Sequence, residues 1–223
     1  MYNVQEIEEN INLCGDFNGG FLQDEPMADK TTFKVGGIAK VFVEPYDVIS
    51  LQKFISISKK MDLPFIVIGG GSNIVVADEG ITCPVVSTRG LKKIFVNENN
   101  HLVCESGCTM ESIVSYCLEH SLAGLERFAG LPGTIGGALY MNARCYDISI
   151  SDVVDSITYL DKNGELQVYH FDTNDWDYKK SPFQEKFESC TIISTELVVN
   201  AVSVDLTKLK SEADFYIKDR ENK

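Results

Sequence analysis

Phe65-Ile66-Val67-Ile68-Gly69-Gly70-Gly71-Ser72-Asn73-Ile74-Val75-Val76 reads as a buried strand, a glycine loop and a second apolar strand. A Rossmann unit runs strand, glycine loop, helix, with Gly-x-Gly-x-x-Gly spacing; here the third glycine is missing and no helix follows. The loop therefore belongs to another nucleotide-binding fold. A second glycine-rich stretch lies further on, Gly130-Leu131-Pro132-Gly133-Thr134-Ile135-Gly136-Gly137-Ala138. Each stretch gathers bare backbone N–H groups, which hold a diphosphate without lysines. Two such loops in one chain imply a dinucleotide-type cofactor gripped from two sides.

Around these loops the chain mixes helices and strands. Val4, Ile7 and Ile11 give a weak helical pattern in an otherwise polar start. Thr32 to Val35 and Lys40 to Val43 alternate as two short strands, and Val48, Leu51, Phe54 and Ile55 mark one helix face from about Asp47 to Lys60. Past an expected boundary near Cys83-Pro84, Ile94 to Val96 and Leu102 to Cys104 form a hairpin, and Met110, Ile113, Val114, Cys117 and Leu118 a helix. Asp152 to Leu160 and Glu165 to Phe171 pair about Asn163-Gly164, and Thr191 to Val199 is a last strand. Leu206, Leu209, Ala213 and Ile217 share a helix face that reads as an apolar stripe open to self-association. The pattern is α+β in two domains.

Composition narrows the function. Hydrophobic residues at 44% and charged residues at 24% are those of a globular chain. No apolar run approaches the ~20 residues that span a bilayer, and the acidic start (Glu6, Glu8, Glu9) is no signal peptide. Seven cysteines without a Cys-x-x-Cys pair, and three histidines, read as reduced thiols in a cytoplasmic protein, with no metal site expected. At a net charge of −13, short basic pairs such as Lys92-Lys93 and Lys179-Lys180 are too small to make a nucleic-acid stripe. The histidines and Ser72 or Ser181 make no Ser-His-Asp set.

Thr31-Thr32-Phe33-Lys34-Val35-Gly36-Gly37, Val43-Glu44-Pro45, the two glycine stretches, Met141-Asn142-Ala143 and Tyr178-Lys179-Lys180-Ser181 occur in a fixed order. In that order they resemble the MurB family, the UDP-N-acetylenolpyruvoylglucosamine reductases, over nearly the whole chain. The resemblance implies an α+β, two-domain FAD-binding unit of the vanillyl-alcohol-oxidase (PCMH) type with the flavin between its domains. Its expected divisions are an N-terminal extension (1–29), FAD-binding subdomains (30–84 and 85–203) and the start of a further domain (204–223). It implies FAD contacts from Gly69, Gly70, Gly71, Ser72, Asn73 and Ile74, and from Leu131, Pro132, Gly133, Thr134, Gly136, Gly137 and Asn142. It further implies that NADPH reduces FAD, and that the flavin reduces UDP-N-acetylglucosamine enolpyruvate to UDP-N-acetylmuramate, a peptidoglycan precursor. Tyr178 and Ser181 would meet this UDP-sugar.

The sequence departs from the family in three places. Lys179 stands where a Tyr-Arg-x-Ser motif has the Arg that stabilises the enolate, so a planar two-pronged donor becomes a point charge. Arg144 and Asp147 replace two glycines after Asn142, crowding a loop expected beside the flavin. The family's Pro-Ser-Ala-Gly-Ser-x-Phe-Lys-Asn-Pro segment with its catalytic Ser, and its late Glu, do not occur here. The chain is therefore expected to bind FAD but to turn over little by itself. Two alternatives stay open: a non-catalytic flavin-binding module, or another FAD-dependent oxidase of the same superfamily.

Overall fold

Helix α1 (Val4–Leu13) opens the chain, with Asn3 as its N-cap and Ile7 and Ile11 buried, as their spacing predicts. The structure is a computed structural model that describes residues 2–187, 189–201 and 206–222. Strand β1 (Gly19–Pro26) pairs antiparallel with β2 (Ile38–Pro45). Helix α2 (Val48–Lys60) crosses over to β3 (Ile66–Ile68), and β4 (Val85–Ser87) inserts parallel between β2 and β3. The first sheet thus runs β1-β2-β4-β3, and β4 carries it beyond the boundary expected at Cys83-Pro84.

Two expected strands are loops. Lys34 sits at φ +57, outside the extended region of a regular strand, and Thr32 N–H instead donates to Gly71 O at 3.0 Å. Ile74 to Val76 leaves Val75 72% exposed and joins no sheet, so its apolar run reflects local burial of Ile74 and Val76 only. Conversely β1, with two glycines and an acidic centre, carries no strand signal and is recruited by the ladder to β2.

The second sheet is antiparallel, in the order β11-β10-β12-β6-β5. Its members are β5 (Ile94–Val96), β6 (His101–Glu105), β10 (Val154–Leu160), β11 (Leu166–His170) and β12 (Thr191–Val198). Two ribbons decorate it, β7 (Leu122–Ala123) with β13 (Asn200–Ala201) and β8 (Arg144–Cys145) with β9 (Ile148–Ser149). Helices α3 (Met110–Glu119) and α4 (Ile135–Tyr140) share one core with this sheet, centred on Phe128, Met110, Ile113, Ile135 and Leu197. The short α5 (Pro182–Glu185) adds Phe183 to it. Leu160 and Ile193 of the second sheet are embedded in the core of the first, with Leu51, Phe54 and Ile55.

Helix α6 (Leu206–Glu221) folds back on the second unit. Leu209 and Ala213 are buried, and Arg220 donates to the carbonyls of Ala129 at 2.9 Å and Arg127 at 3.0 Å. Half of the expected apolar stripe is thereby covered, while Leu206 and Ile217 stay exposed. The division expected at residues 203 and 204 lies outside the described residues. Among the described residues no helix is long and apolar enough to cross a membrane.

Asp47 starts α2 by accepting from Ser50 N–H at 2.7 Å, and it also accepts from Asn18 Nδ2 at 2.8 Å. Partial burial alone would raise its pKa, but these hydrogen bonds and the charge of Lys53 outweigh it and hold the carboxyl below its usual value. The stabilisation is then complete above the unfolded pKa of about 4 and is lost as pH falls through the lower folded value. Asp47→Ala is expected to cost about 1 kcal/mol at neutral pH, or roughly 3 °C in Tm. The gap between variant and parent should narrow in melts as pH falls below the ordinary aspartate pKa of about 4.

Candidate functional site

Strand β3 feeds the first glycine loop, and the turn before α4 supplies the second. Gly71 sits at φ +69, and a Cβ there would lie 2.0 Å from Lys30 O, so this position requires glycine. The two loops do not face each other across a ligand but abut. A Cβ on Gly70 would lie 2.8 Å from Gly133 Cα, and one on Gly69 would lie 2.3 Å from Thr134 Oγ1. They form one continuous floor contributed by both units. Among the described residues, the N–H groups of Gly70, Gly71, Ser72 and Asn73 make no backbone hydrogen bond. The start of α4 is less free than its glycines suggest: Ile135 and Gly136 N–H donate to Cys108 O and Ser106 O, both at 2.9 Å.

Above this floor lies a cleft of about 1690 Å³. Residues 69–74, Leu131 to Thr134, Gly136, Gly137, Tyr178 and Lys179 all line it. Its size exceeds the usual range of small-molecule pockets and suits an extended ligand. Among the described residues, five buried side-chain polar atoms lack a hydrogen-bond partner; four of them, on Ser58, Ser106, Thr134 and Thr191, belong to residues lining this cleft. Unpaired buried hydroxyls are costly, so their concentration here fits a polar ligand that completes them. Glycine backbone, free N–H groups and unpaired hydroxyls together suit a dinucleotide. Sequence reasoning missed Ser106 and Thr191, which sit at strand ends without any glycine signature. Cys190 also lines the cleft, but burial pushes its thiol up to about 11, so it is no nucleophile near neutral pH.

Asn142 and Ser181 are not brought to the cleft wall. Asn142 is buried, donating to Asp177 O at 2.9 Å and accepting from Ser151 N–H at 3.3 Å. Ser181 is fully buried and donates to Tyr140 O at 2.7 Å. Both pin a tight turn in which Asp177 and Lys180 exchange backbone hydrogen bonds of 3.2 and 3.0 Å. That turn presents Tyr178 and Lys179, both exposed, at the cleft mouth. Lys179 adopts φ +55, with its ammonium 5.6 Å from the Tyr178 ring centre. Lys180 is paired with Glu185 at 2.8 Å, whereas Lys179 has no ion-pair partner among the described residues.

The crowded loop after Asn142 resolves into a two-residue turn, Tyr146-Asp147, with φ +46 and +67. The strain of Tyr146 is offset by its hydroxyl donating to Asp219 at 2.7 Å and by Arg220 stacked 4.9 Å from its ring centre. Arg144 lines the cleft and lies 3.7 Å from Asp147.

Comparison with known proteins matches the FAD-binding-domain family over residues 39–169. The UDP-N-acetylenolpyruvoylglucosamine reductase of Treponema denticola is 38% identical over 215 residues, covering 93% of this chain and 66% of that protein. The Borreliella burgdorferi protein of that name is 40% identical, covering 74% of this chain and 54% of its own length. The Geobacillus kaustophilus protein is 30% identical over 224 residues, 71% of its length. The chain thus spans about half to two thirds of the first two relatives. The crystal structure of MurB from Thermus caldophilus superposes with a TM-score of 0.74 at 20% identity, over 92% of this chain and 70% of that one. A berberine bridge enzyme variant superposes at 0.63 and 13% identity, over 88% and 43%.

Proposed function

Since this chain belongs to the UDP-N-acetylenolpyruvoylglucosamine reductase family, and its fold is the α+β FAD-binding type of the vanillyl-alcohol-oxidase class, we propose that it binds FAD in the cleft and serves as the flavin-holding part of a cytoplasmic, NADPH-dependent reductase of the UDP-sugar enolpyruvate. The observation that carries this reading is the shared glycine floor with unpaired hydroxyls around it. Gly69 to Ile74 and Leu131 to Gly137 would hold the dinucleotide by backbone N–H groups and close approach. The two units would act as the flavin-binding subdomains, the first taking in β1 and β4 beyond the expected 30–84 and the second starting after Ser87.

Bound FAD would supply hydride transfer from NADPH to the enolpyruvyl group. The protein's part is then to hold the anionic substrate and the negative charge that grows on it. Lys179, unpaired at the mouth, is suited to that charge, with Tyr178 beside it as a substrate contact. Asn142 and Ser181 act on this site by fixing the turn, as positioning residues.

Purified chain incubated with FAD and passed through gel filtration should keep the flavin's visible absorbance. NADPH should then bleach it, while reoxidation by the UDP-sugar enolpyruvate should be slow, since this chain is expected to turn over little by itself; rapid full turnover would overturn that expectation. A colourless protein would overturn the cofactor assignment. Lys179→Met is expected to keep the flavin and to slow substrate-driven reoxidation about 100-fold, read by stopped-flow absorbance.

A further inference from the structure

The fifth unpartnered buried polar atom, His101 Nδ1, lies away from the cleft. It faces two carboxylates on neighbouring strands, at 3.4 Å from Glu196 Oε2 and 3.7 Å from Asp155 Oδ2. All three donor atoms fall within 4.8 Å of one another. His101, Asp155 and Glu196 belong to β6, β10 and β12, which are adjacent in the order β10-β12-β6.

The backbone shows how Asp155 reaches this position. Pairing of Val154 with Leu197 and of Ser156 with Glu196 leaves Asp155 as the extra residue of a β-bulge. A bulge re-aims the side chain it displaces. A second set of contacts fixes the carboxylate of Glu196: Asn97 Nδ2 donates to Glu196 Oε2 at 2.8 Å, while Asn97 Oδ1 accepts the His101 N–H at 3.0 Å. Such support behind a ligand is what metal sites need.

Distances decide between an ion pair and a ligand set. A charge-assisted N–H···O bond would close to about 2.7–2.9 Å, and neither contact does. Donors bound to one cation at about 2.0–2.2 Å with tetrahedral geometry stand about 3.3–3.6 Å apart, close to the observed 3.4 and 3.7 Å. One imidazole and two carboxylates suit a borderline divalent transition ion; magnesium and calcium call for oxygen ligands in greater number. We infer that His101, Asp155 and Glu196 form a binding site for a divalent cation of the zinc class, ligated by Nδ1 and one oxygen from each carboxylate. The ion would tie three strands together and stabilise the folded chain by mass action. It is independent of the flavin assignment.

The test is a Co²⁺ titration of the whole chain, read by visible absorbance and by melting. A single equivalent should bind with the d–d bands of a nitrogen–oxygen site and no thiolate charge-transfer band, and should raise Tm. His101→Gln and Glu196→Gln should each weaken binding more than about tenfold. In the unsubstituted chain Co²⁺ should also displace one imidazole resonance of the three histidines, a readout that does not depend on a variant folding. Absence of binding, thiolate bands from the seven cysteines, unchanged affinity in both variants, or no displaced imidazole would each overturn the proposal.

Discussion

Gly70→Val is expected to abolish FAD retention while leaving most of the fold in place. A Cβ at this position meets the backbone of the other unit, 2.8 Å from Gly133 Cα and 3.3 Å from Thr134 N. Backbone cannot swing aside as a side chain can, so the two loops must part. Overpacking of this kind costs about 1–3 kcal/mol for a methylene or two. Spent at a ligand floor, it amounts to about a 10- to 100-fold loss of affinity before the valine methyls are counted. Gly137→Ala is the contrasting variant, because its Cβ would meet only Thr134 Oγ1, at 3.8 Å. It should fold as well as the parent. Gel filtration with FAD, followed by a melt of each variant, separates the outcomes. Full retention by Gly70→Val would show that the floor is not where the cofactor lies.

Phe54→Ala should give the largest loss of stability and a recovery dependent on FAD. Phe54 is fully buried in α2, with its ring 5.5 Å from and edge-on to Phe65, the residue that leads into β3 and the first glycine loop. Truncation of a buried phenylalanine costs about 3–5 kcal/mol, a large share of the ~5–15 kcal/mol of a folded domain. Tm is expected to fall by roughly 10 °C. A ligand at 100 times its Kd returns about 2.7 kcal/mol, so saturating FAD should recover about half of the loss. A melt that FAD does not move would argue that the first unit does not form the site.

Both glycine stretches, the helix capped by Asp47 and the two hairpins were legible because each carries its own local signal: bare glycines, a 3.6-residue period, or Asn163-Gly164 between alternating runs. Strand β1 was not, because its pairing with β2 is decided by a neighbour rather than by its own polar composition. The false strands at 32–35 and 74–76 show the converse, where short apolar alternation lay in a loop fixed by Lys34 at φ +57 and by contacts to Gly71. At the site, the cleft-lining glycines were readable and the unpaired hydroxyls of Ser106 and Thr191 were not, since burial without a partner exists only in three dimensions. Asn142 and Ser181 were noticed from motif order, yet their side chains hold the Lys179 turn rather than face the cleft. The His101 cluster joins residues from three separate strands and has no spacing to read.

Leu160 and Ile193 anchor the second sheet inside the first unit's core, and Gln52 and Lys59 of α2 grip the Asn163-Gly164 turn at 3.0 and 2.8 Å. The two units therefore have no hinge along the cleft: swinging them apart would strip water-free apolar surface bare. A dinucleotide held in the cleft would then enter and leave by local movement at the mouth, around the Asp177–Lys180 turn. Stopped-flow release of FAD should accordingly be quickened by Asn142→Ala, which frees that turn, and not by substitutions on the outer face of α2.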